Sequence, residues 1–258
     1  HMAASLENAW WRDVVEWGAD SLFAGHFDID WTERLTPPIL GKAFAELVAD
    51  GAARVMADPD GGRLVLAYFD NHLPLAPDTW RLLAEASGDP LLGEIAALGQ
   101  AARPEAAEVF HAAVADRLAS PGTAALDADL ARLSADGRLL AALHDAQPWH
   151  LIFWQDARRH LSCRRFFGVT GLVGVRVEDP PVFADAHRLI LDLVADGTVD
   201  GLRVDHVDGL AAPSVYLAEL RDAVGPDVPI HVEKILEGHE AVPEGWPIEG
   251  TTGYEFIT

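Results

Sequence analysis

From Asp78 to about Ala146, apolar positions recur every three or four residues, the spacing of amphipathic helices. Leu82, Leu83 and Ala86 mark one helix; Leu91, Leu92, Ile95 and Leu98 mark a second. Ala107, Val109, Phe110, Ala113 and Leu118 mark a third, and Leu126, Leu130 and Leu133 a fourth. Gly88-Asp89-Pro90, Arg103-Pro104 and Ser120-Pro121-Gly122 separate them, because proline and glycine break helices. Upstream, Asn8–Trp17 predicts a short helix or the start of a turn, and residues 39–50 predict a helix. Ala53–Ala57 and Leu64–Phe69 predict a hairpin about Pro59-Asp60-Gly61-Gly62.

The pattern changes toward the C-terminal end. Leu202 and Val204 alternate with Arg203 and Asp205, as in a short strand whose end opens into a site. Val207-Asp208-Gly209 turns the chain, a helix follows from Pro213 to Val224, and Pro229–Leu236 is a second short strand carrying Glu233. A further helix, Pro181–Ala195, precedes this unit, with Pro near its start and Gly197 after its end. Strand, helix and strand over about 35 residues make a βαβ unit with parallel strands. Asp205 and Glu233 then lie at the same sheet edge. The fold class expected is α/β, in three parts: residues 3–77 with the hairpin, 78–147 as a helical subdomain, and 148–258 with the strand-end carboxylates.

Charge narrows the partners. The chain has 258 residues, half of them hydrophobic, and a formal net charge of −22. That surface excludes a sequence-independent nucleic-acid binder and an anionic-membrane binder, and it suits a neutral substrate. No apolar run approaches the roughly 20 residues that span a bilayer. Cys163 is the sole cysteine, so no internal disulfide forms, which fits a reducing cytoplasm; a small, partly buried side chain is its expected role.

Two carboxylates from neighbouring strand ends suit retaining glycoside chemistry, in which they stand about 5–5.5 Å apart. Arg203, two residues before Asp205 on the same strand face, is placed to orient it. This division makes Asp205 the nucleophile and Glu233 the acid/base; the alternative is that either acid caps the following helix. His206 and Asp208 lie nearby, but without HExxH spacing or a cysteine pair, so no metal is expected, and no glycine-rich phosphate loop implies a cofactor. Arg165, beside Arg164, Phe166 and Phe167, is a second candidate ligand contact, with structural ion pairs as the alternative.

"DGLRVDHVDGL" at 200–210, "HVEKIL" at 231–236 and "WPIEGTTGYEFI" at 246–257 resemble the maltooligosyltrehalose synthase family, within the α-amylase group of glycoside hydrolases. "FDIDW" at 27–31 and "RRFFGVTGLVGVRVEDPPVF" at 164–183 are similar too, in the same order. The resemblance implies part of a (β/α)8 barrel with a helical insertion. It implies an isomerase-class intramolecular transglucosylase of trehalose biosynthesis, which turns the reducing-end α-1,4 linkage of a maltooligosaccharide into an α,α-1,1 linkage. Asp205 would form a β-glucosyl-enzyme, Glu233 would act as acid/base and Arg203 would orient Asp205. His206, Lys234, Gly250, Thr251, Thr252 and Tyr254 would line the sugar subsites.

The departures are specific. Gly168 and Glu255 stand where the family usually has Asp, and Cys163 replaces an Asn-Tyr-like position. The family's Asp-x-x-x-Asn-His strand and the strand bearing its third catalytic aspartate are absent from the sequence. An excised segment, one chain of a two-chain barrel and a diverged remnant are the expectations. Other retaining α-glucan hydrolases or transferases, and a fragment that only binds maltooligosaccharide, are the functional alternatives.

Overall fold

The computed structural model describes residues 1–120, 122–236 and 239–252. Its contacts divide the chain into two compact units, His1–Gly174 and Val175–Thr258.

In the first unit, β1 (Met2–Ala3) is followed by α1 (Ala9–Trp17), whose first turn is capped by the Asn8 side chain. After α2 (Phe44–Ala49) come β2 (Ala53–Asp58), β3 (Arg63–Tyr68) and β4 (Asn71–Pro74), an antiparallel sheet in that order. Every residue of β3 is buried, as befits the central strand. The helices α3 (Trp80–Ser87), α4 (Pro90–Ala101), α5 (Ala107–Leu118), α6 (Thr123–Leu133) and α7 (Gly137–Asp145) follow. Asp89 and Asp136 cap α4 and α7 by accepting backbone N–H bonds. Many of the apolar positions at three-and-four spacing face the core: Leu83, Leu92, Ile95, Val114, Leu126 and Leu130 are each almost fully buried, whereas Val109, expected on the same face of α5, points to solvent. β5 (Leu172–Val173) returns to pair with β1.

The expected helix over residues 39–50 is shorter than its pattern suggested. Leu40 is instead drawn into a bridge with Phe153: its N–H donates to the Ile152 carbonyl at 3.1 Å, and Trp154 N–H donates back to it at 2.9 Å. Cys163 bridges to Ile29, and burial pushes its thiol up to about 11, so it stays protonated and unreactive at neutral pH.

In the second unit, α8 (Pro180–Ala195), β6 (Leu202–Val204), α9 (Pro213–Val224), β7 (Ile230–Val232) and β8 (Gly250–Thr251) build a three-stranded parallel sheet ordered β6-β7-β8. Phe183, Val207, Leu217, Leu220, Ile230 and Val232 form its core. Burying each large side chain contributes roughly 1.5–3 kcal/mol. Among the described residues no helix is long and apolar enough to cross a membrane.

A candidate active site at the strand ends of the second unit

The site follows from strand register. Leu202 pairs with Ile230 and Val204 with Val232, so Asp205 and Glu233 each stand one residue past a strand end, side by side. The Glu233 N–H donates to the Val204 carbonyl at 2.8 Å and carries the pairing to that level. Neighbouring strands are about 4.8 Å apart, which sets the spacing of the two backbones.

Arg203 joins the two acids. Its Nη1 contacts Asp205 Oδ1, its Nη2 lies 3.5 Å from Glu233 Oε1, and its Nε donates to Thr252 Oγ1 at 2.9 Å. The other oxygen of Glu233 accepts the His206 backbone N–H at 3.1 Å. His206 holds the left-handed conformation as it makes that bond, with φ 51° and ψ 51°. Buried Val207 anchors the one-turn 3-10 segment that follows, and so fixes the turn carrying His206 and Asp208.

The other expected site residues divide. Lys234 is nearly buried and bonds Asp208 at 3.1 Å and Glu240 at 2.6 Å. The Glu240 bond, helped by Asp208, raises its pKa above the ordinary lysine value, so it is a fixed ammonium. Gly250 and Thr251 form β8 against His231 and Val232, and the Thr252 N–H donates to the Val232 carbonyl at 2.9 Å. Tyr254 lies outside the described residues, as does Glu255. Arg165 belongs to the first unit, where its Nη2 donates to the Ala157 carbonyl at 3.2 Å.

No protein-family model matches the chain. Curated maltooligosyl trehalose synthases of two Mycobacterium tuberculosis strains are 34% identical over 256 residues, which is 97% of this chain. The structure of maltooligosyltrehalose synthase from Arthrobacter ramosus is 35% identical over 100% of this chain, with a TM-score of 0.69. The chain is similar to part of a maltooligosyltrehalose synthase. It spans 24% of the length of those curated relatives and 26% of the Arthrobacter chain. A hypothetical maltooligosyl trehalose synthase of Sulfolobus tokodaii is 28% identical over 99% of this chain and 26% of its own, with a TM-score of 0.65. The similarity to these synthases therefore runs across both units, through the helical segment as well as the motifs.

One supporting group escaped the sequence reading. Arg221, in the last turn of α9, donates to Glu249 at 2.8 and 2.9 Å and to the carbonyls of Gly225, Val228 and Pro247. Glu249 in turn accepts the Ile230 N–H, the first cause of its lowered pKa, with Arg221 adding to it. This network ties the starts of β7 and β8 together beneath the site. The only local signal was a basic residue in a helix's last turn.

A second cluster, His144, Asp145 and His150, brings possible metal ligands within 4.8 Å of one another in the first unit. His144 Nε2 accepts the Leu151 N–H at 3.1 Å, so the neutral ring carries its proton on Nδ1, the atom that faces Asp145. Burial pushes this histidine down to about 4. The Arg34 guanidinium is 3.4 Å from His150. With the His144 Nδ1 protonated and a guanidinium against the His150 ring, the cluster is a poor cation site.

Proposed function

We propose that this chain carries the nucleophile and acid/base of a trehalose-forming α-glucan enzyme. The observation that carries the reading is the Arg203 fork, joining carboxylates from two adjacent parallel strand ends. Asp205 attacks the anomeric carbon of the penultimate glucose, and Glu233 protonates the O4 of the departing reducing-end glucose. The freed glucose turns in place. Glu233, now a carboxylate, takes the proton of its anomeric hydroxyl, which attacks the β-glucosyl-enzyme and closes an α,α-1,1 linkage with Asp205 as leaving group. Configuration is retained through two inversions.

Arg203 orients Asp205, and the His206 N–H fixes one oxygen of Glu233. His206, Lys234, Gly250, Thr251 and Tyr254 are proposed to contact sugar. Lys234 does so as an ammonium held by Asp208 and Glu240. The parallel β6-β7-β8 order supports a place in an α-amylase-type (β/α)8 barrel, with the helices of residues 78–147 as its insertion. A neutral glucan suits the net charge of −22, and a single cysteine suits the cytoplasm. The Asp205 side chain is 69% exposed. Keeping water from the glycosyl-enzyme therefore takes further residues around Asp205 than the Arg203 fork.

Maltopentaose is the test. Incubation is expected to yield a non-reducing pentasaccharide ending in trehalose, with loss of reducing ends. Glucose plus maltotetraose would make the enzyme a hydrolase instead. No product, together with no binding by calorimetry, would end both the enzymatic and the binding readings.

A further inference from the structure

Thr252 stands among the residues expected to touch sugar, but its polar groups are directed inward. Its N–H is paired with the Val232 carbonyl, and its hydroxyl oxygen accepts the Nε–H of Arg203. We propose that Thr252 is the positioning residue that locks the Arg203 guanidinium between Asp205 and Glu233. The inference rests on the reading that those two carboxylates carry the chemistry.

A guanidinium is planar, and its five N–H bonds point in fixed directions. Fixing the Nε–H direction therefore fixes the plane and the aim of both Nη groups. The two acids alone hold it poorly. The Arg203 side chain is 49% exposed and Asp205 69%, and exposed ion pairs keep long side chains in place only weakly. Thr252 supplies the third corner from a rigid base. It follows β8 directly, its backbone is bonded to β7, and a β-branched side chain has few rotamers to lose. The strand order makes this possible: Arg203 on β6 reaches across β7 to the end of β8.

The test uses the ¹⁵N-labelled 258-residue chain. The Arg203 Nε–H signal is assigned by its loss in Arg203→Lys, and its exchange with solvent is then measured. Thr252→Val is expected to speed that exchange about tenfold, the equivalent of one lost hydrogen bond, and Thr252→Ser to restore it. With maltopentaose, Thr252→Val should lower kcat about 10–100-fold and leave KM within about twofold, while Thr252→Ser stays near wild type. Unchanged exchange in Thr252→Val, or a raised KM with unchanged kcat, would overturn the proposal in favour of a direct sugar contact. If circular dichroism shows that Thr252→Val does not fold, Thr252→Ala takes its place with the same expectations. Should the wild-type chain make no product, the function fails on its own, and the exchange measurement still decides whether Thr252 holds Arg203.

Discussion

Each unit contains an arginine between acidic groups, and the two clusters behave oppositely. In the first unit, Glu16 at the end of α1 is 2% exposed, with Arg63 Nη1 at 3.5 Å and His111 Nε2 at 3.2 Å. Burial pushes Glu16 up to about 7 and His111 down to about 4. Gly62 closes the lid: with φ at +59°, it lies so near the His111 carbonyl oxygen that an added Cβ would come within 2.0 Å of it. In the second unit, Arg203, Asp205 and Glu233 use the same residue types at strand ends that solvent reaches. Residue type alone does not decide which cluster is the candidate site. The decisive difference is whether a carboxylate stands past a strand end, where a ligand can approach, or inside a core where burial neutralises it.

Substitutions that remove one member of each cluster should separate them most sharply. Asp205→Asn is expected to lower trehalose formation by roughly 10³-fold or more, and to leave the unfolding free energy within about 0.5 kcal/mol of wild type. Arg63→Ala should do the converse in urea melts, costing about 1–3 kcal/mol because it empties a buried position and leaves the Gly61 carbonyl without its Arg63 hydrogen bond. Full activity in Asp205→Asn would remove the second cluster from the chemistry.

The pH dependence of stability tests the first unit alone. Glu16 titrates at about 7 when folded against 4.5 as its ordinary value. The folded state therefore holds the extra proton between those values, and this group's contribution falls as pH rises through that window. His111 and His144 titrate at about 4 when folded against 6.5 ordinarily. The unfolded state binds their protons between pH 4 and 6.5, so their contribution rises with pH. The slopes oppose each other. Glu16→Gln removes the falling one, and unfolding free energy should then climb more steeply between pH 5 and 6.5, by about 1 kcal/mol per pH unit. A curve parallel to wild type would mean that Glu16 does not hold its proton in the fold.

Legibility in the sequence followed the range of the interactions. α4 was readable because Asp89-Pro90 and apolar spacing agree, and α9 because Pro213 and Gly225 bracket it. The strand-end positions of Asp205 and Glu233 were readable because strand alternation is local. α7 was missed: it is nine residues long and opens on a glycine. β4 was missed because Asn71, His72 and Pro74 are poor strand formers, and pairing with β3 makes the strand. The Arg203–Thr252 bond spans 49 residues and depends on β8, a two-residue strand defined only by its partner. No local pattern encodes it.

The smallest effect expected separates a close approach in the site from the one in the core. Gly209 lies under the His206 ring, and a Cβ there would sit 2.5 Å from Cδ2 and 2.7 Å from Nε2. Unlike the carbonyl over Gly62, this neighbour is a side chain that can swing aside. Gly209→Ala should therefore cost less than about 1 kcal/mol, below the usual range for an overpacked core. The displaced ring should instead register in binding, with KM for maltopentaose rising about threefold to tenfold and kcat little changed, the signature of lost uniform binding. A stability loss of several kcal/mol with an unaltered KM would mean that His206 packs as core, and would take it out of the sugar contacts.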